Sequence, residues 1–366
     1  MDNFDDSILL PQSLEFDKPF ISFDLQLKRL KRRGMIFDED SEEYARYIFK
    51  KYGYYRVING YDTLFKDPSS VEKKYLEGTR FEDVFNLFIL DNELTKILFQ
   101  QFTDIEAHFK NITAYYVSQH FGVNNYYPDD RDNPSHSHNS EVKSYLDISF
   151  YPNQSSSSLN TLHYLSLKSP DNPTKIYRKS RNHIPPWILF SNAYLGTMNR
   201  YFSILPNHIK DEILDEILKP TLISSAPALG LDIHSIFFDG MELLREFRNC
   251  IAHGSRTYLF QSNNHFLPNN LQKLVSPDSN ILTSRREYSQ GVGKNDLYAI
   301  IIWLFLFTSS KPEADLLLKT FNSFFDEVNN LLTDDPSNYD NSFFKTSKLP
   351  INILERLQNL ISSYHQ

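Results

Sequence analysis

The stretch TRFEDVFNLFILDNELTKILFQQFTDIEAHFKNITAYYVSQHF, residues 79–121, decides the fold class. Its apolar residues recur at three- and four-residue spacing, the period of one helix face: Phe81, Val84, Phe85, Phe88, Leu94, Leu98, Phe102, Ile105, Phe109, Ile112 and Tyr116. Neither proline nor glycine interrupts it before Gly122. The pattern predicts one long helix or two abutting helices. Thr79 and Glu82 have capping-box spacing, which places the helix start at Thr79.

The same period predicts further helices on both sides. They cover about residues 19–33, 41–52, 186–203, 206–218, 295–309, 311–332 and 349–364. Ser22 and Ser41 are the predicted N-caps of the first two, and Gly34 and Gly53 their predicted stops. YYRVINGYDTLF, residues 54–65, mixes β-branched and aromatic residues around an Asn-Gly step, which predicts a turn or short strands.

A polar segment rich in Ser, Pro and Asp follows the long helix, over residues 126–160. We therefore predict an all-α helical bundle with an N-terminal helical region (1–70) and a larger helical domain (71–366), which carries a loop-rich insertion at about 126–180. His136 and His138 lie in this insertion, but no cysteine or second paired motif accompanies them. We expect no metal site and no cofactor.

Composition is typical of a soluble globular protein, with 40% hydrophobic and 23% charged residues among 366. Cys250 is the single cysteine, so no intrachain disulfide forms and a reducing, cytoplasmic location is expected. The acidic N-terminus, MDNFDDSILL, lacks the pattern of a signal peptide. The run AIIIWLFLF, residues 299–307, is too short to span a bilayer and predicts a buried helix.

The net charge of −8 argues against broad, non-specific coating of nucleic acid, but it does not exclude a local contact. Two basic clusters stand out, KRLKRR at residues 28–33 and Lys175 with Arg178, Lys179 and Arg181. Within the first, we consider Lys31, Arg32 and Arg33 candidate RNA-binding residues. A solvated helix end is an equally good interpretation.

The stretch LLREFRNCIAHGSRTY, residues 243–258, places Arg248, Asn249 and His253 within six positions. Asp239 and Glu242 have capping-box spacing, which predicts a helix from Asp239 to His253 that stops at Gly254. Its predicted apolar arc is Leu243, Leu244, Phe247 and Ile251, and its polar arc is Glu242, Arg245, Glu246, Asn249 and His253, with Arg248 at the edge. Cys250 lies nearer the apolar side and is predicted to pack rather than act as a nucleophile.

Two interpretations of this motif are open. Histidine near a helix end is common in ordinary amphipathic helices. Alternatively, the motif carries chemistry for RNA cleavage, since histidine transfers protons near neutral pH and arginine holds two phosphate oxygens. Such a site needs no metal if the 2′-OH is deprotonated, the phosphate charge stabilised and the 5′-oxygen protonated. Because each motif supplies one histidine, a two-fold homodimer that faces two motifs is favoured.

The motif LREFRNCIAHGSRTY resembles the "LRN-x-x-AH" segment of the Abi-like (abortive-infection, AbiD/AbiF type) family of the HEPN superfamily. Further blocks are similar in the same order, so the resemblance spans about residues 18–330. They are KPFISFDLQLKRLKRRGM, KYGYYRVINGYDTLF, the long helix with its GTRFED start, IPPWILFSNAYLGTMNRYF and NDLYAIIIWLFLF. The family often has a second histidine where Gly254 stands, a usual tryptophan appears as Tyr258, and "SFG" reads YLG at 194–196.

The resemblance implies a HEPN-type helical bundle that acts in phage defence as a metal-independent endoribonuclease toxin, usually a homodimer. Arg248 would clamp phosphate, Asn249 would position it and His253 would transfer the proton. Arg245 and Arg256 would add backbone contacts, or remain solvent-exposed charges. RNA is the implied partner, as substrate and, for some members, as a small structured RNA that restrains the toxin. Two other classes stay open: a non-enzymatic RNA-binding module and a helical scaffold with a decayed site.

Overall fold

The computed structural model describes residues 20–38, 40–125, 142–152, 156–181, 183–269, 271, 273, 282–332 and 343–365. These residues form helices and turns, with no β-strand among them, so the predicted all-α class is confirmed. They fall into two compact units, one within Met1–Glu93 and Phe324–Thr346, the other within Leu94–Ser323 and Ser347–Gln366. The predicted division at residue 70 differs from this grouping.

The first unit contains α1 (Phe23–Arg32), α2 (Ser41–Tyr52), the beginning of α3 (Phe81–Phe121), the end of α13 (Lys311–Leu331) and α14 (Phe343–Thr346). Ser22 caps α1 by accepting from the Leu25 amide, and Gly34, at φ +95°, follows its last turn, as predicted. Helix α2 ends at Gly53 as predicted, but its N-cap is Asp40 rather than Ser41. The Ser41 hydroxyl instead donates to the Asp38 carbonyl.

Of the two alternatives predicted for residues 54–65, a turn or short strands, the short strands are wrong. The segment forms a π-helical turn, Tyr55–Asn59, and a 3₁₀ turn, Asp62–Phe65. Two of its β-branched residues, Val57 and Ile58, lie in the π-helical turn, and their side chains are buried. Tertiary packing has overridden their β-propensity, as happens where burial decides the conformation.

Helix α3 is continuous over Phe81–Phe121, which confirms the prediction of one long helix. With Thr79 as the N-cap, the first helical residue would be Arg80, so the helix begins one residue later than the Thr79–Glu82 spacing predicted. The Asp83 carboxylate, rather than Glu82, accepts from the Arg80 amide at 2.7 Å. An acid at the third helical position bonds the preceding cap in this way, so the capping interaction is shifted by one residue.

The second unit carries the rest of α3 and most of the remaining helices. These are α4 (Ser156–Lys168), α5 (Thr174–Ser180), α6 (Pro186–Ser191), α7 (Leu195–Ile204), α8 (Asn207–Ile217), α9 (Pro220–Ser225), α10 (Ile233–Ala252), α11 (Arg285–Ser289), α12 (Leu297–Leu306) and α15 (Ile353–Tyr364). All ten residues of α12 are buried, as predicted for this apolar run. Helix α10 packs against α7 and α12, and α12 packs against α15.

The predicted loop-rich insertion is wrong over residues 156–180, which form α4 and α5. Leu159 and Leu162 of α4 are buried, and the helix packs against α7. Arg178 of α5 donates to the carbonyls of Ser166 and Ser169. This arginine of the second basic cluster therefore hydrogen bonds to the C-terminal end of α4. Because the start of α4 is rich in serine, the sequence pattern did not predict its short apolar face. His136 and His138 lie outside the described residues.

Helix α11 is tied to α15 by one ion pair. Glu287 accepts from Arg356 at 2.7 Å and from the Ser284 amide at 2.7 Å. Burial alone would raise the pKa of Glu287, but the bonds from Arg356 and Ser284 outweigh it and lower the pKa to about 2. Because the folded-state pKa is depressed, this pair stabilises the fold fully above the ordinary value of 4.5. The contribution disappears as pH falls toward 2.

We therefore expect Glu287→Gln to lower the free energy of unfolding at pH 7. The deficit should shrink as pH falls from about 4.5 to about 2, where the wild-type carboxylate becomes protonated. Chemical denaturation followed by tryptophan fluorescence at a series of pH values measures both effects. Glu355→Gln, on the exposed face of α15, serves as the control. A deficit independent of pH would contradict the assignment.

Candidate active site at the end of helix α10

Helix α10, which carries the Arg248, Asn249 and His253 motif, begins earlier than the sequence predicted. Its N-cap is Asp232, whose carboxylate accepts from the His234 amide at 3.2 Å. Asp239 is therefore an internal helical residue and not the cap. Its Oδ1 lies 3.1 Å from Nδ1 of His265. Asp239 and Glu242 therefore do not form the predicted capping box, and Asp239 instead contacts His265.

The last turn of α10 ends in a complete Schellman motif. His253 is the C-cap, and Gly254 follows in the left-handed conformation at φ +65°. The Gly254 amide donates to the Ile251 carbonyl at 2.9 Å, and the Ser255 amide donates to the Cys250 carbonyl at 3.1 Å. This confirms Gly254 as the helix stop, with the last helical residue at Ala252.

His253 presents its imidazole to solvent at this helix end. Its side chain is exposed, and among the described residues none forms a hydrogen bond or ion pair with the ring. The His253 amide donates to the Asn249 carbonyl at 3.0 Å, so the two residues are consecutive along one helix ridge, and Asn249 is half-buried. The imidazole is therefore accessible to a ligand from outside the protein.

Arg248 lies beside a carboxylate of α3. Its Nε is 3.4 Å from Oε2 of Glu106, and the same carboxylate holds Nζ of Lys110 at 2.7 Å from Oε1. The Arg248–Glu106 geometry is that of an ion pair without a hydrogen bond, since Nε has no hydrogen-bond partner. The Arg248 side chain remains 34% exposed. A guanidinium held by one edge can still offer its terminal N–H groups to phosphate.

Arg245, one turn earlier, is hydrogen-bonded to a buried carboxylate of its own helix, and its side chain is 30% exposed. Its Nε donates to Oε2 of Glu242 at 2.7 Å. The other carboxylate oxygen, Oε1, accepts from the side-chain amide of Asn199 at 2.9 Å. A Cβ atom at Gly196 of α7 would lie 2.8 Å from Cδ of Arg245, so the arginine crosses directly over this glycine. The predicted polar arc was wrong at Glu242, which is only 5% exposed because α7 covers it.

The remaining predicted residues lie beside the helix stop or on the apolar side of α10. Arg256 is exposed just beyond the helix stop. Cys250 is buried, in agreement with the predicted packing role, and its Sγ lies 3.8 Å from the Arg256 carbonyl oxygen. In the predicted apolar arc, Leu243, Leu244 and Phe247 are buried, and Ile251 is half-buried.

Lys31, Arg32 and Arg33 belong to the first unit, whereas the α10 motif belongs to the second. Lys31 and Arg32 are exposed on the last turn of α1, and Arg33 is half-buried as its C-cap. Lys31 forms an ion pair with Glu42 of α2 and lies 5.9 Å from the centre of the Phe37 ring. The charge of Lys31 is therefore partly neutralised.

Sequence reasoning missed the residues that surround Arg248. Glu106 and Lys110 are four apart on α3, and Trp187 is the second residue of α6, directly after Pro185 and Pro186. The i,i+4 spacing of Glu106 and Lys110 predicts their mutual contact. No local pattern links them to Arg248, because that contact depends on how α3 and α10 pack.

The fold and this helix end define an all-α protein with an exposed Arg-Asn-His motif. A family model described as "Abi-like protein" matches residues 47–259, more than half of the chain, and the match includes all three motif residues. The chain belongs to this family, which points to abortive-infection phage defence. No curated protein and no solved structure matches the chain. No helix in its described part combines the length and apolarity needed to cross a bilayer.

The buried carboxylate of Glu242 generates a stability prediction. Glu242→Ala removes the acceptor of Arg245 Nε and one of the two acceptors of the Asn199 side-chain amide, so we expect a loss of about 1–3 kcal/mol in the free energy of unfolding. Chemical denaturation measures the loss. Glu355→Ala, an exposed acid of the same unit, should change stability by less than about 0.5 kcal/mol. Equal effects of the two substitutions would contradict a structural role for Glu242.

Proposed function

We propose that this Abi-like protein is a metal-independent endoribonuclease that acts in phage defence and cuts RNA with the residues at the end of α10. The observation that carries the proposal is the joint position of Arg248, Asn249 and His253 on one solvent-facing helix end, with the imidazole exposed. Both side chains can be reached from solvent, since Arg248 is 34% exposed and His253 is exposed.

In this reaction the ribose 2′-oxygen attacks the adjacent phosphorus, and the bond from phosphorus to the 5′-oxygen breaks. The 2′-OH loses one proton and the departing 5′-oxygen gains one, so no net proton is consumed. The products are a 2′,3′-cyclic phosphate and a 5′-OH end. His253 is the group suited to proton transfer, because imidazole exists in both protonation states near neutral pH.

Arg248 supplies the charge that the pentacovalent phosphate requires. Its edge contact with Glu106 limits the rotamers of the guanidinium, and its partial exposure leaves donors for phosphate oxygens. Asn249, which follows Arg248 and precedes His253 by one helical turn, can hydrogen bond to phosphate without adding charge. Arg256 is close enough in sequence to contact the RNA backbone beyond the helix stop. Arg245, which is bonded to Glu242, would support the helix end instead.

The exchange of two protons favours a homodimer with two copies of the motif facing one RNA strand. One His253 would remove the 2′-proton while the partner's His253 protonates the leaving oxygen. Such a nuclease harms its own host, so a restraining partner is expected. A small structured RNA that binds the same helix end would supply that restraint, and its release would start growth arrest during infection.

His253→Ala should abolish RNA cleavage in EDTA, with a rate loss of about 10²–10⁴-fold because general acid–base catalysis is removed. Gel analysis of a labelled RNA measures the rate, and treatment of the products should reveal 2′,3′-cyclic phosphate ends. His208→Ala, at an exposed histidine of α8, is the matched control and should cleave normally. Persistent cleavage by His253→Ala protein would refute this site.

The basic end of α1 provides a separate test of RNA binding. Replacing Lys31, Arg32 and Arg33 together by glutamine should weaken RNA binding. It should also reduce the slope of log affinity against log salt by about 0.7 for each phosphate that the variant no longer neutralises. The same change at Lys175 and Lys179, which are exposed on α5, is the control. Unchanged affinity and slope would remove the α1 cluster from the RNA-binding surface.

A further inference from the structure

A cavity of about 360 Å³ opens beside Arg248, within the second unit. Its volume lies in the range of sites that hold one small ligand, about 300–1,000 Å³. Helix α3 forms one side, and α6 and α10 form the other. The lining residues are Thr103, Glu106, Ala107, Lys110, Asn111, Trp187, Ser191 and Arg248.

Trp187 presents an aromatic ring at the mouth of this cavity. The residue is 49% exposed, whereas its neighbours Pro186, Leu189 and Phe190 are buried and anchor α6. The approach to α6 is also fixed, because the Ile184 amide donates to Asn125 at 2.8 Å. A large exposed aromatic on a rigid support is unfavourable in water, but it suits the stacking of a nucleobase.

The cavity also carries the charge that a phosphate needs. Lys110 and Arg248 both lie against the carboxylate of Glu106, at 2.7 Å and 3.4 Å. Two cations thus share one anion, and the group keeps one positive charge. Asn111 and Thr103 add neutral groups that can hydrogen bond to the edge of a base. The aromatic platform and the cationic group face the same space.

The geometry points to a subsite for one unpaired RNA nucleotide, with its base stacked on Trp187 and its phosphate bound by Arg248 and Lys110. This inference rests on the proposed function, since Arg248 would hold the phosphate that is cut. A base within a duplex is stacked on both faces and cannot reach a side chain in a cavity. The protein would therefore act on single-stranded RNA, and the base in the cavity would determine where the strand is cut.

Tryptophan fluorescence tests this subsite directly, because the chain has two tryptophans and Trp303 is fully buried. His253→Ala protein keeps the RNA intact during the titration. A short single-stranded RNA should quench the emission of Trp187 as it binds, and the same sequence in a duplex should quench it much less. In a Trp187→Phe, His253→Ala protein, the remaining emission of Trp303 should not respond.

Affinity supplies the second readout. Trp187→Ala in the same background should weaken binding of the single-stranded RNA about tenfold, as expected when one stacked base loses its platform. Trp187→Tyr retains an aromatic face and should restore most of the affinity. Tyr164→Ala removes another exposed aromatic, which does not line the cavity, and should leave affinity unchanged.

The outcomes separate this subsite from the nuclease proposal. RNA binding by fluorescence anisotropy without a change in Trp187 emission would overturn the subsite and leave the nuclease intact. Equal quenching by duplex and single strand would overturn the preference for unpaired RNA. Saturable quenching by single-stranded RNA, in a wild-type protein that cleaves nothing, would support the subsite and refute the nuclease. Absence of both binding and cleavage would refute both.

Discussion

The close approach of α10 to α12 is the contact on which the candidate site depends. A Cβ atom at Gly240 would lie 2.2 Å from the indole ring of Trp303, so only glycine admits this packing. Trp303 is fully buried and belongs to a helix whose residues are all buried. Because α10 is thereby fixed against the centre of the second unit, the direction in which its last turn points is also fixed.

Carboxylates then decide what each arginine of α10 can do. Glu242 is buried and accepts from Nε of Arg245 at 2.7 Å, so that guanidinium is anchored by a hydrogen bond while its side chain stays 30% exposed. Glu106 contacts Nε of Arg248 at 3.4 Å, which orients the guanidinium and leaves it partly exposed. Two arginines three positions apart thus differ in how Nε is held, although their side chains are similarly exposed, at 30% and 34%. The acid that binds Arg245 lies on α10 itself, whereas the acid beside Arg248 belongs to α3.

The elements that rest on local patterns could be predicted from the sequence. The uninterrupted apolar period of α3, the glycine that ends α1 and the apolar run of α12 each depend on neighbours in the chain. The errors occurred where distant residues decide the outcome. Burial makes residues 55–59 helical despite their β-branched composition, and α7 covers Glu242 although its helical position is polar. Similarly, the sequence pattern predicts the motif residues of α10 as site residues. The positions of Glu106 and Trp187 beside Arg248 depend on how α3 and α6 pack, which no local pattern predicts.

The interactions that end helix α10 involve different atoms from the side chains proposed for catalysis. The backbone amides of Gly254 and Ser255 satisfy the last carbonyls of the helix, and the buried Cys250 side chain packs below them. None of these interactions uses the side chain of Asn249 or His253. The helix stop therefore stabilises the turn without consuming its polar side chains, which remain available to a ligand. For this reason, loss of activity on substitution of His253 would report on chemistry rather than on folding.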